Sequence, residues 1–409
     1  MSTGGKMKKK NYTIAKSKAL LNRYGDVLVR GYIPHKNIFG QVDMDYPAFV
    51  QRASGARFWD VDGNEFLDYV MGFGPIVLGY DDPAVCRAIH EQVANGTVYG
   101  LAHPRELTVA ELLIEVIPCA EMVGFFIGGS AATSSAVRLS RVYTGRDRVI
   151  TCGYHGWHDW ARPDDVGVPK SVSELTCTVP YGDLDALEAC LKKYDNQVAC
   201  VVMETIQGGG PPDGFLQGCV DLAHAHGAVC VFDETKVGFR VAMGGAGEYY
   251  GVIPDIATFG KACCNGYAGS FIAGKREILG SKACQSVWMT ATAHGDPLSL
   301  TAMEVVIGEL RRRNGIAYQW KIGSRLIEGI NAVCKAGGLS YHLIGVGPMP
   351  RPVMEDSDRD RCMKMLRGCL ARGYYLHPSH PMFLSLAHTE ADIEDTIEAV
   401  REAIGRIDE

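Results

Sequence analysis

The chain has 409 residues, enough for about two or three folding units, and its 47% hydrophobic and 22% charged residues exclude a wholly disordered polypeptide. A net charge of −6, from 41 basic against 47 acidic residues, carries no bias toward nucleic acid or an anionic membrane. No stretch approaches the roughly 18 uninterrupted apolar residues of a membrane span. Residues 1–10, rich in Lys and Gly with no apolar run behind them, read as a flexible leader and not as a secretory signal. The 14 cysteines are scattered without a C-x-x-C pair, and several stand in apolar runs. They are expected to be free thiols in a reducing cytoplasm, with no metal site and no ordinary disulfide between the adjacent Cys263 and Cys264.

In chain order, residues 11–50 read as an irregular N-terminal arm. Residues 56–69 alternate aromatic and polar side chains around Asp62-Gly63, the signature of a hairpin. From about residue 83 the pattern changes. Helical periodicity at 84–94, 105–116, 131–143, 184–194 and 218–226 alternates with short apolar runs at 123–127, 149–152, 199–203, 229–232, 256–259 and 269–272. Buried strands alternating with helices mean an α/β domain with a mostly parallel sheet, because parallel strands need crossover helices. Residues 298–336 read as a long helical stretch, 374–376 and 382–386 as strands, and 389–407 as a closing helix. The expected organisation is an N-terminal arm and part of a small domain at 1–80, a large α/β domain at 81–305, and the rest of the small α+β domain at 306–409.

In open α/β sheets ligands sit beyond the carboxyl ends of the strands, so the residues just past each apolar run matter most. After 123–127 comes Gly128-Gly129-Ser130-Ala131, opening a helix. Glycines admit an anion close to the backbone, and a helix N-terminus supplies N–H groups and positive dipole; a plain tight turn with Ser130 as cap is the alternative. After 149–152 comes Gly153-Tyr154-His155-Gly156-Trp157-His158, where an aromatic between glycines suits stacking on a flat ligand, or ordinary aromatic packing. His155 and His158 have zinc-like spacing but no Cys or Glu nearby to complete a metal site. Asp233 ends an entirely apolar strand, where a carboxylate is costly without a cation; a structural salt bridge or helix cap would also explain it. Lys261 comes after Phe259-Gly260 among small residues, where desolvation lowers an amine's pKa and makes it a Schiff-base nucleophile. Lys236 and Lys275 compete with it on composition alone. An anion cradle, a ring stacker, a buried acid and a desolvated lysine together are what pyridoxal phosphate (PLP) requires.

From about Phe58 to near the C-terminus the sequence resembles the class III, fold type I, PLP-dependent aminotransferases, most closely their glutamate-1-semialdehyde 2,1-aminomutase branch. The residues carrying the resemblance are Trp59-Asp60-Val61-Asp62-Gly63, Phe73-Gly74-Pro75, Leu78-Gly79, Tyr154-His155-Gly156, Phe232-Asp233-Glu234, Gly238-Phe239-Arg240, Phe259-Gly260-Lys261 and Phe383-Leu384-Ser385-Leu386-Ala387-His388-Thr389. The resemblance implies that Lys261 carries the cofactor, Asp233 pairs with its ring nitrogen, Tyr154 stacks on the ring and Thr235 packs on the other face. It further implies that Gly129 and Ser130 hold the phosphate, that Gln207 lies near the phenolic oxygen, and that Thr292 reaches the phosphate across a homodimer interface that shares the active site. An amine donor and a carbonyl acceptor are the implied partners of a ping-pong aminotransferase; an intramolecular aminomutase, racemase or epimerase acting on an amino acid or amino sugar is the alternative.

Departures from the family pattern are informative. Ser130-Ala131 replaces the usual Thr-Glu, Glu204-Thr205 replaces Glu-Pro, and Gly209 stands where ω-amino-acid transaminases carry a glutamate that pairs with a carboxylate-binding arginine. The aminomutase's substrate-carboxylate segment has no recognisable counterpart within 24–41; Arg23, Arg30 and Lys36 are candidates without a pattern.

Overall fold

The computed structural model describes residues 12–29 and 46–407. In chain order its principal elements are helix α1 (Ala15–Val27), strands β1 (Val50–Ser54), β2 (Arg57–Asp60) and β3 (Glu65–Asp68), helices α2 (Pro83–Asn95) and α3 (Arg105–Val116), β4 (Met122–Ile127), α4 (Gly129–Thr144), β5 (Arg148–Cys152), β6 (Thr176–Thr178), α5 (Leu184–Lys193), β7 (Val198–Glu204), α6 (Phe215–Ala225), β8 (Val229–Asp233), β9 (Ile256–Phe259) and β10 (Gly269–Gly274). Helices α7 (Pro297–Arg312) and α8 (Gly315–Ala336), β11 (His342–Val346), β12 (Met349–Val353), α9 (Arg359–Leu370), β13 (Tyr374–Tyr375) and α10 (Glu390–Ile404) complete the chain. It divides into two compact units, one of Met1–Phe73, Leu78–Asp82 and Tyr318–Glu409, the other of Gly74–Val77 and Pro83–Ala317.

The second unit holds a seven-stranded sheet in the order β4-β10-β9-β8-β7-β5-β6. Strands β9, β8, β7, β5 and β6 are parallel, while β10 runs against both β9 and β4. Strand β4 therefore shares the direction of β9, and the carboxyl ends of β4, β5, β7, β8 and β9 open at one edge. Strands β7, β8 and β9 are buried almost throughout, which is why they read as continuous apolar runs without alternation. Core side chains such as Phe126, Val137, Val202, Val231 and Ile272 pack α4 onto the sheet.

The first unit contains the four-stranded sheet β1-β2-β3-β13, with the expected hairpin at β2–β3, and the β11–β12 hairpin. Its own core joins Phe58, Phe66 and Tyr69 to Leu326, Tyr341, Leu366, Leu376, Ile397 and Val400.

Three local expectations are corrected. The expected irregular arm contains α1. Its N-terminal N–H groups at Lys16 and Ser17 donate to Asp62 at 2.7 and 2.9 Å, so its cap comes from the distant hairpin turn and leaves no local signal. The long helical stretch is two helices, parted at Asn314, whose φ of 49° breaks the ladder. Residues 382–386 form no strand: Met382, Phe383 and Leu384 donate their N–H groups to Pro350, Tyr69 and Pro348, three bonds that make no ladder. The run is apolar because it is buried, not because it pairs.

Candidate active site

At the end of β4, Gly128 turns the chain with φ +79°, and α4 begins at Gly129 without a capping side chain. Its first N–H groups, at Gly129 and Ser130, are thus left for an anion. The loop after β5 is laced onto this turn. Trp157 N donates to Ser130 Oγ at 3.3 Å, and Thr133 Oγ1 donates to the His155 carbonyl at 2.9 Å. Gly156, at φ +105°, comes so close that a Cβ would stand 2.2 Å from Ser130 Oγ. Thr235 closes the same space, since a Cβ on Gly129 would lie 2.8 Å, and one on Gly260 3.1 Å, from its Cγ2. The Thr235 hydroxyl is buried with no partner.

Asp233, at the tip of β8, is buried. One oxygen accepts from His155 Nδ1 at 2.9 Å; the other accepts from Thr235 N and Thr258 Oγ1, both at 3.1 Å. Burial pushes its carboxyl up, but the donors from His155 and Thr235 outweigh that and hold it below the usual range, so it stays ionised. His155 is itself buried, and its Nε2 has no partner. Glu234, next along, faces away from this cluster's donors. It accepts from Thr205 Oγ1, Ala246 N and Gly247 N, and burial raises its pKa to about 7.

The three lysines that composition leaves equivalent are separated by their partners. Lys275 is paired with Asp255 at 2.6 Å, and Lys236 is paired with Glu204. No carboxylate lies within ion-pair distance of Lys261 among the described residues; it sits at φ 49° directly after β9. Burial and then the Lys236 ammonium hold its pKa below the ordinary lysine value, with Asp233 and Glu204 opposing. An amine so placed sheds its proton more readily than a surface lysine, which is what a nucleophile needs.

Glu204, at the tip of β7, organises the remaining side chains. Besides Lys236 it accepts from Gln207 Nε2 at 2.7 Å and from Tyr154 N at 3.2 Å. Gln207 therefore directs one of its two amide N–H groups to Glu204. The Tyr154 ring is 59% exposed, free to meet a ligand. Thr292 lies exposed on the turn before α7. Arg23 is exposed in α1, while Arg30 and Lys36 lie outside the described residues. Sequence reasoning passed over His155 as a ligand of Asp233. The clue available to it was a histidine between two glycines at a strand end.

The residues present fit PLP. Unspent N–H groups at the α4 terminus beside Ser130 suit its phosphate, an ionised buried Asp233 suits a protonated ring nitrogen, and the orphaned buried Thr235 hydroxyl and His155 Nε2 mark a space built for a polar occupant. Independent comparisons agree. Residues 39–162 and 165–404 match the aminotransferase class-III family. Glutamate-1-semialdehyde 2,1-aminomutase of Natranaerobius thermophilus is 35% identical over 413 aligned positions, covering 93% of this chain and 96% of that protein. Glutamate-1-semialdehyde 2,1-aminomutase 2 of Brevibacillus brevis is 36% identical over 391, covering 88% and 91%. Among solved structures, the PLP internal aldimine form of the Sphingopyxis sp. MTA144 FumI protein superposes with a TM-score of 0.90 at 27% identity, covering 96% of each chain. An ω-transaminase from Sphaerobacter thermophilus, at 23% identity and a TM-score of 0.87 over 96% of this chain and 98% of its own, shares the fold.

Proposed function

The chain belongs to the class-III aminotransferases, a PLP-dependent family with small-molecule substrates, and we propose that it transfers an amino group from an amine donor to a carbonyl acceptor by a ping-pong cycle that turns on Lys261. The observation that carries this reading is the partnering of the lysines: Lys236 and Lys275 are neutralised by carboxylates and Lys261 is not. PLP, when bound, supplies a carbonyl that condenses with amines and a protonated ring that accepts an electron pair from the substrate carbon. Lys261 would hold it covalently and, once displaced by the substrate amine, take the proton from the amine-bearing carbon. Asp233, kept ionised by His155 and Thr235, would keep the ring nitrogen protonated. Gly129 and Ser130 would hold the phosphate, Tyr154 and Thr235 would cover the two ring faces, and Gln207 would border the phenolic oxygen through its bond to Glu204. Thr292 would complete the phosphate site of a second copy in a homodimer. Exposed Trp157 and Trp288, 75% and 80% accessible in the single chain, support such an association. No described helix is long and apolar enough to cross a membrane, and the free thiols suit a cytoplasmic location.

The aminomutase relatives favour a second reading, in which the amine is removed and returned to the same molecule. Single-turnover absorbance titration of the PLP-loaded protein separates the two. The panel comprises α-amino acids, ω-amino acids, diamines and amino sugars, with no acceptor present. Bleaching of the cofactor band with release of a carbonyl product establishes a transaminase and names its donor class. A band that is perturbed and recovers while an isomer accumulates overturns the transfer reading in favour of the mutase.

A further inference from the structure

Most of the 14 cysteines are buried, and among the described residues two pairs of them lie in contact. Cys177 on β6 and Cys190 on α5 face each other with their sulfurs 2.6 Å apart. No other two cysteines described lie as close; Cys263 and Cys264, the next pair, stand 3.5 Å apart and are fully buried. Cys177 is half-buried and can meet a solute, whereas Cys190 lies behind it at 7% exposure. Two cations flank the pair through Tyr194. Arg148 lies 4.1 Å and Lys193 4.9 Å from its ring centroid, and both favour the thiolate of Cys190. Burial and the facing thiol push Cys190 up to about 12; Cys177, the more exposed of the two, is the sulfur an oxidant meets first. Among the described residues no third His, Cys, Asp or Glu completes a metal site here.

We propose that Cys177 and Cys190 are a dithiol that closes to a disulfide with a small-molecule disulfide such as oxidised glutathione as the oxidant. Cys177 thiolate attacks one sulfur of the oxidant, forming a mixed disulfide and expelling one small thiolate. Cys190 thiolate then attacks the Cys177 sulfur and expels the second. The two protein thiol protons pass to the two departing thiolates, and the pair's two electrons reduce the oxidant to two thiols. The bond ties the edge strand of the large sheet, whose one neighbour is β5, to the helix that comes after it. It encloses the turn held by Asp183, which caps α5 through Ala186 N at 2.8 Å, and by Tyr181, whose hydroxyl donates to the Thr205 carbonyl at 2.9 Å. Because β5 leads directly into Gly153 and Tyr154, the staple braces one wall of the candidate site.

The test is oxidation of the PLP-loaded protein with oxidised glutathione, then alkylation and non-reducing peptide mapping. The expected product is one cross-linked peptide joining Cys177 to Cys190, with the denatured chain titrating two thiols fewer than the 14 of the reduced protein. Cys190→Ser is expected to stop at a glutathione adduct on Cys177. The wild-type map needs no variant to fold, so it decides the matter alone. Retention of both thiols, a stable glutathione adduct on wild-type Cys177, or a cross-link through other cysteines overturns the proposal. None of these outcomes bears on the aminotransferase reading.

Discussion

Of the buried histidines, His388 in the first unit and His155 in the second are kept in opposite ways. His388, in the unit that holds the β2–β3 hairpin, has both nitrogens spent: Nδ1 accepts from Ser385 N at 3.1 Å and Nε2 donates to the Asp68 carbonyl at 3.0 Å, with Tyr69 stacked 4.9 Å away. A carbonyl acceptor and an N–H donor suit a neutral ring, and burial lowers its pKa to about 4. His155, in the unit of the large sheet, donates to an ionised carboxylate and leaves Nε2 buried and unused. His388 is satisfied within its own unit, whereas the unused Nε2 of His155 stands beside the Asp233 carboxylate, where a polar ligand could use it.

The comparison breaks first at Lys261. Lys261→Ala is expected to cut turnover by roughly 10³-fold or more while PLP still binds noncovalently; a rate near wild type, measured at saturating donor and acceptor, removes the lysine from the mechanism. Asp233→Asn should lower kcat by roughly 10²-fold or more, and His155→Gln by roughly 10- to 100-fold. If His155 acts through Asp233, the double variant loses little beyond Asp233→Asn alone. Additive losses would show that the histidine works independently.

The stability side of the comparison is a pH effect. A neutral buried His388 contributes its full stabilisation above the unfolded-state pKa near 6.5, and that contribution is lost as the pH falls toward its folded value of about 4. The loss amounts to about 3 kcal/mol, from about 1.4 kcal/mol per pKa unit. Urea midpoints at pH 7 and pH 4.5 measure it, and His388→Gln should flatten the difference. The smallest expected effect concerns the cradle. Gly156→Ala forces an L residue to φ +105° against Ser130 Oγ, and PLP should bind roughly tenfold more weakly, at about 1–3 kcal/mol of backbone strain. Unchanged retention on dialysis would mean that Ser130 does not hold the phosphate.

Much of this was legible in the chain itself. Short apolar runs mark β5, β7, β8 and β9 because strands buried on both faces have no polar side to alternate with. The residues just past those runs had to gather at one edge once the strands were parallel. That much is a matter of local pattern plus one topological rule, and it is enough to mark Asp233 and Tyr154 and to place Lys261 among three candidate lysines.

What local pattern does not carry is the identity of partners. Lys236, Lys261 and Lys275 are alike in composition, and they differ only because Glu204 and Asp255 fold back onto two of them. Helix α1 escaped notice because its cap, Asp62, is 46 residues from Lys16, and 382–386 looked like a strand because burial, not pairing, made it apolar. The facing sulfurs of Cys177 and Cys190 belong to the same class, set by how α5 packs beside an edge strand. Sequence alone determined the alternating strands and helices of the large sheet and which chemistry stands at their ends, because periodicity and backbone sterics act over a few residues. Only the tertiary structure decided which charges are neutralised and which are left to act, because Coulomb energy and desolvation depend on distances that the chain sets by folding.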